Sequence, residues 1–171
     1  MSILKILQYP DSRLKRIATQ TVDHNDPRIQ KIIDDMLETL HHHQDSAAFA
    51  ATQLDIDNPP GIVVIAMAEE ITHGPLCLLN PKIIEKQGLV SEVEGCMSVY
   101  PKDIAATVAR AEEVKAVALD RYGKTFEIKA TGFLARVLQH EIDHLHGIIY
   151  LDYLSKLKLS LIKKKIAKLN Y

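Results

Sequence analysis

The residues with the clearest chemical potential are Gln139-His140-Glu141-Ile142-Asp143-His144. On a helix, His140 and His144 stand one turn apart and present their imidazoles to the same ion. Glu141 lies close enough around such a helix to take a proton from a water activated by that ion. Three specified residues match by chance somewhere in a chain of this length about 2% of the time under uniform usage, so the surroundings must decide. The flanking residues are apolar. A buried carboxylate with no partner there is costly, and a metal with its water gives a physical reason to keep one.

A catalytic tetrahedral site needs a third protein ligand and an open position. The chain has two cysteines, Cys77 and Cys96. Cys96 is the leading candidate: a thiolate suits zinc or ferrous iron, and Gly95 is expected to let the backbone turn inward. Cys77 is the alternative. Its setting, Pro75-Leu76-Cys77-Leu78-Leu79, reads as a buried strand in which cysteine behaves as a small apolar residue. Glu94 and Asp143 are further carboxylates near the motifs, without an equally clear placement. The run His41-His42-His43 also invites a metal reading, but adjacent helical positions point in different directions, and a solvated helix end explains it better.

Several elements must position these groups. Asp26 and Pro27 form a cap and first position for a helix whose apolar residues Ile29, Ile32, Ile33, Met36, Leu37 and Leu40 recur at helical spacing. Ser46 to Gln53, SAAFAATQ, offers small side chains for a tight crossing beside a cleft. Residues 62–68 and 76–79 read as buried strands, the second ending before Asn80-Pro81. Residues 114–119 and 125–130 flank a Gly-containing turn and predict a hairpin. From Gly132, the residues Phe133, Leu134, Val137, Leu138, Ile142 and Leu145 supply a helical apolar face, and Gly147 a stop. This order predicts an α+β fold: small antiparallel and mixed sheets around a central metal-binding helix, with an N-terminal and a C-terminal helix.

The motifs together resemble the bacterial-type peptide deformylase family. The resemblance is carried by SAAFAATQ (46–53), Glu94-Gly95-Cys96-Met97-Ser98 and QHEIDHLHG (139–147), and extends from ILQYPDSRLKRIA near the start to LDYLSKLK near the end. It implies that Cys96, His140 and His144 hold one divalent transition metal, Fe2+ in the cell, with Zn2+, Ni2+ or Co2+ in preparations. It implies that Glu141 acts as general base and then acid. The side-chain amide of Gln53 and the backbone N–H of Met97 would hold the developing oxyanion. The implied reaction is hydrolysis of the N-formyl group from formylmethionyl nascent peptides, releasing formate. Ala47, Ala48, Phe49 and Val137 are expected to line the methionine pocket, since methionine suits an irregular apolar cavity. Where the family usually has two glycines and a leucine, this chain has Ser46, Ala48 and Phe49, which puts two Cβ atoms and an aromatic ring beside the expected substrate path. An amidase acting on a different N-acyl group is the alternative they motivate. A noncatalytic metal-stabilised RNA-binding protein is another.

With 171 residues, 47% hydrophobic and 25% charged, the chain suits a single catalytic domain over 1–171 and argues against general disorder. Two cysteines cannot build a disulfide-rich scaffold, and no run of about 18 apolar residues predicts stable membrane insertion. A monomeric, cytoplasmic protein is expected. The net charge of −1 hides a separation: residues 156–171 carry six lysines and no acid, leaving −7 on the remainder. A basic helix at about 155–170 follows from this. The family resemblance implies a contact between that helix and the ribosome.

Overall fold

The computed structural model describes residues 2–19, 23–66, 74–100 and 103–169. Helix α1, Pro27–His42, begins where the Asp26 side chain accepts a hydrogen bond from the Arg28 N–H at 2.8 Å, as its cap residue predicts. Its apolar stripe of Ile29, Ile33, Met36 and Leu40 is buried. His41 and His42 are exposed at its end.

Among the described residues seven strands follow: β1 (Ala48–Ala50), β2 (Ile62–Ile65), β3 (Leu76–Gln87), β4 (Val90–Glu94), β5 (Ala106–Arg110), β6 (Glu113–Leu119) and β7 (Thr125–Thr131). Five form one sheet in the order β1-β2-β3-β6-β7, and β4 pairs with β5 in a second. All these pairings are antiparallel, and among the described residues parallel character is confined to an isolated bridge between Thr19 and Pro60. Helix α2, Gly132–Leu145, carries the histidine motif, and helix α3, Lys156–Leu169, closes the described chain.

The large sheet separates two cores, and strand alternation assigns each residue to one of them. Ala48, Ala50, Val63, Ile65, Leu76 and Leu78 face Val137, Leu138 and Leu145 of α2. Phe49, Ile62, Val64, Cys77 and Leu79 face α1. The uninterrupted apolar runs of β2 and early β3 therefore reflect burial on both faces. A third cluster joins Leu7, Leu14, Cys96, Val99, Ile104, Val108, Tyr150 and Ile166, so α3 packs beneath the second sheet. The α+β architecture with a central motif helix stands as expected.

Two strand readings change. β3 runs through Asn80-Pro81 rather than ending there: Asn80 takes φ +48° and the ladder shifts register between Leu79 and Lys82, so Pro81 sits where no ladder N–H is required. β2 is described to Ile65, and Met67 and Ala68 of the expected strand lie outside the described residues. The β4–β5 hairpin has no counterpart in the pattern reading, because Ser91, Glu92 and Val93 are all exposed and blur the period of two.

Gly147 ends α2 at φ +70°, where a Cβ would strike the Lys15 backbone. Ala18 N–H also bonds the Leu145 carbonyl at 2.8 Å, so the N-terminal segment is seated against this helix end. Gly147→Ala is expected to lower stability by at least about 1–2 kcal/mol, the cost of a left-handed conformation for an L side chain, before any clash is counted. Urea unfolding monitored by circular dichroism checks this.

Candidate metal centre

Cys96 lies two residues beyond the end of β4, while His140 and His144 share one face of α2. The three donor atoms lie within 4.8 Å of one another. His144 Nε2 is 3.3 Å from Cys96 Sγ and 3.1 Å from His140 Nε2. All three residues are buried. Gly95 contributes less than expected: it has no positive φ, and a Cβ there would meet only the Ile104 carbonyl oxygen at 3.9 Å. The chain turns inward because Cys96, Val99 and Ile104 enter the third core.

Glu94 fixes how His140 is presented. Its Oε1 lies 2.6 Å from His140 Nδ1, and Arg110 donates to both of its oxygens at 2.8 and 3.1 Å. Arg136 adds a bond to Oε2 at 2.9 Å. Burial alone would raise this carboxyl, but the bonds from His140 and Arg110 reverse the effect and hold it down to about 2. An ionised Glu94 accepts the Nδ1–H and so fixes the ring with Nε2 turned toward His144, where a bound divalent ion would take the place of a proton. Burial opposes charge on His140, yet the Cys96 sulfur and the bonds from Cys96 and Glu94 hold it well above its ordinary value. Burial, then His140, holds His144 well below. Two imidazole nitrogens and a sulfur converging in a dry pocket fit a divalent transition ion, which would satisfy all three lone pairs at once.

Glu141 is buried beside these donors, and its Oε2 has no hydrogen-bond partner among the described residues. Burial pushes its carboxyl up to about 7 against the pull of His140 and a backbone bond from Ala50. A divalent ion nearby would draw it down again. Gln53, also buried, is oriented by its Oε1 accepting from Ala50 N–H at 2.7 Å, which turns Nε2 toward Cys96 Sγ at 3.4 Å. Met97 is half-buried, with its carbonyl accepting from Gln8 Nε2 at 2.7 Å. The remaining motif residues have other work. Gln139 bonds both backbone groups of Ala111, and Asp143 accepts from Arg110 and Tyr153 on the far side of α2.

These groups open on a cavity of about 300 Å³ walled by Ala47, Ala48, Val137 and Met97, with Gln53, Cys96, His140 and Glu141 at its inner end. The expectation for Phe49 is corrected: its side chain faces α1, fully buried, with its ring edge-on to His43 at 6.1 Å. β1 alternation sends Ala48 toward α2 and Phe49 away from it, so the aromatic ring does not narrow the substrate path. Ser46 turns its hydroxyl onto the Ala48 carbonyl at 2.9 Å. Sequence reasoning missed Phe133, Val93 and Arg136 on the cavity wall. Phe133 is 55% exposed at the rim, although its place in the helical apolar pattern reads as core.

A buried Cys/His/His donor set beside a carboxylate with one unpartnered oxygen and an open cavity defines a metal-dependent hydrolase. A family model described as polypeptide deformylase matches residues 3–160. The chain is 50% identical to peptide deformylase 1 of Coxiella burnetii over 98% of its length and 96% of the relative. It is 45% identical to peptide deformylase 3 of Shewanella oneidensis, covering 98% and 99% of the two chains. Among solved structures, a peptide deformylase from Legionella pneumophila superposes with a TM-score of 0.86 at 37% identity, over 99% and 96% of the chains. One from Ehrlichia chaffeensis in complex with actinonin gives 0.87 at 39%, over 98% of each. The chain belongs to the polypeptide deformylase family and is a metal-dependent deformylase.

Cys77 is the control for this centre. Burial pushes its thiol up to about 12, so it is neutral and covered at neutral pH. Cys96→Ala is expected to abolish stoichiometric metal binding and Cys77→Ala to leave one ion per chain. Elemental analysis after anaerobic desalting distinguishes them.

Proposed function

We propose that this single catalytic unit removes the N-formyl group from formylmethionyl nascent peptides in the cytoplasm, as a monomer using Fe2+. The observation that carries the reading is the free Oε2 of Glu141 beside the Cys/His/His donors, at the inner end of a cavity sized for one side chain. Cys96, His140 and His144 would hold the ion, which would supply Lewis acidity to the reaction. Glu141 takes the proton of the attacking water as oxygen bonds to the formyl carbon, then returns it to the departing amine nitrogen as the C–N bond breaks. Formate and a free amino terminus result.

Gln53 Nε2 and the Met97 N–H act as donors to the oxygen that gains charge, and they cost little reorganisation because the Gln53 amide is already anchored by Ala50. Ala47, Ala48 and Val137 provide the apolar wall for the methionine side chain. With Phe49 turned away, its ring gives no reason to expect a different N-acyl substrate. Buried Ser46 is tied to its own loop and leaves that wall apolar. Soft and borderline donors accept Zn2+, Ni2+ or Co2+ as well.

The helix α3 is proposed as a ribosome contact. Ile166 is buried and Lys165 bonds the Asp103 carbonyl, whereas Lys158, Lys163, Lys164 and Lys168 are exposed and make no ion pair among the described residues. Neutralising these four to Gln preserves the packed side of the helix. Ribosome binding of that variant is expected to weaken and to lose much of its salt dependence, and an unchanged salt series would reject the contact.

Glu141→Gln keeps the size of the side chain and removes the base. Formate release from N-formyl-Met peptides by the metal-loaded protein is expected to fall about 10²–10⁴-fold with metal content retained. In the native protein, release from N-formyl peptides should far exceed hydrolysis of N-acetyl counterparts. A preference for the acetyl series would overturn the substrate assignment.

A further inference from the structure

Outer support for the two histidines is uneven. His144 Nδ1 has no hydrogen-bond partner among the described residues, whereas His140 Nδ1 is held by a carboxylate that two arginines share. One guanidinium, that of Arg110, already meets both oxygens of Glu94. A second fully paired arginine, 4% exposed, costs desolvation. Its placement gives the reason to retain it. Arg110 ends β5, whereas Arg136 stands on α2, one turn before His140.

We propose that Arg136 is a positioning residue for the metal centre, locking the Glu94 carboxylate to the helix that carries His140. Arg136 Nη1 bonds Glu94 Oε2 at 2.9 Å while His140 Nδ1 bonds Oε1 at 2.6 Å, so one helical turn grips both oxygens. The rest of the guanidinium spans the β4–β5 hairpin. Nη1 also donates to the Val108 carbonyl at 3.1 Å, Nη2 to the Val90 carbonyl at 3.2 Å, and Nε to Glu92 at 3.2 Å. The strand leading to Cys96 and the helix bearing the histidines are thereby held in register through one planar fork. Without it, Glu94 remains charged through Arg110, which reaches α2 only by way of Asp143, and loses its direct bond to the turn before His140, so the imidazole can swing relative to the sulfur.

The inference rests on the metal-centre reading, and its test does not depend on turnover. Release of Co2+ or Zn2+ from the loaded protein to excess chelator is followed with the visible spectrum of the Co2+ form. Arg136→Met is expected to release metal roughly tenfold faster or more, within the range seen when outer partners of metal ligands are removed, and to change the Co2+ spectrum. Arg136→Lys should lie between Met and native, because one ammonium reaches Glu94 but cannot also hold Val90, Val108 and Glu92. Ile33→Ala, a cavity in the other core, lowers stability without touching the centre and should leave release unchanged. A native release rate and spectrum in Arg136→Met would overturn the proposal, as would equal acceleration by Ile33→Ala. If Arg136→Met does not fold, a native rate in Arg136→Lys decides against it. Absence of formate release from the native protein would remove the proposed substrate and leave this comparison standing.

Discussion

Glu94 accepts the Nδ1–H of His140 from a position two residues before Cys96, and this contact joins the two distant segments that make the centre. A carboxylate in a dry interior survives as an anion only when its lone pairs are filled, and here Arg110, Arg136 and His140 fill them. Once Glu94 is fixed, the tautomer of His140 is fixed, and the sulfur of Cys96 follows from the short chain between them. The cavity, the carboxylate of Glu141 and the amide of Gln53 then take their meaning from one point in space.

The surrounding fold is organised so that this point is rigid. The large sheet supplies Ala48 and Ala50 as a smooth wall for α2, and small side chains let the helix approach closely enough to bring Glu141 near the Ala50 backbone. Gln139 pins the helix to the turn after β5 through both backbone groups of Ala111. On its outer side Asp143 takes Arg110 and Tyr153, with the guanidinium lying over the tyrosine ring at 4.6 Å. Each face of α2 thus has a separate task, which explains why polar and charged residues occupy a helix buried along most of its length.

Local spacing made part of this legible from sequence. His140 and His144 are one turn apart, so their convergence needs only a helix, and the cap at Asp26-Pro27 announces α1 without reference to anything distant. Cys96 could be preferred to Cys77 because a strand setting explains the latter. What failed depends on pairing across the chain. Phe49 was expected in the cavity, but the face a strand residue takes is set by register against β2 and β3, and one residue reverses it. Glu94 had no legible role because its partners come from β5 and from another turn of α2. Asn80-Pro81 read as a strand end, whereas a bulge carries the strand onward.

The central claim is that one sulfur and two imidazole nitrogens from separated segments share a single ion. X-ray absorption at the metal edge of anaerobically loaded protein measures this directly. One sulfur scatterer near about 2.3 Å with nitrogen scatterers at about 2.0–2.1 Å is the result predicted for a zinc-loaded sample. A shell of nitrogen and oxygen alone, with no sulfur, would contradict the account.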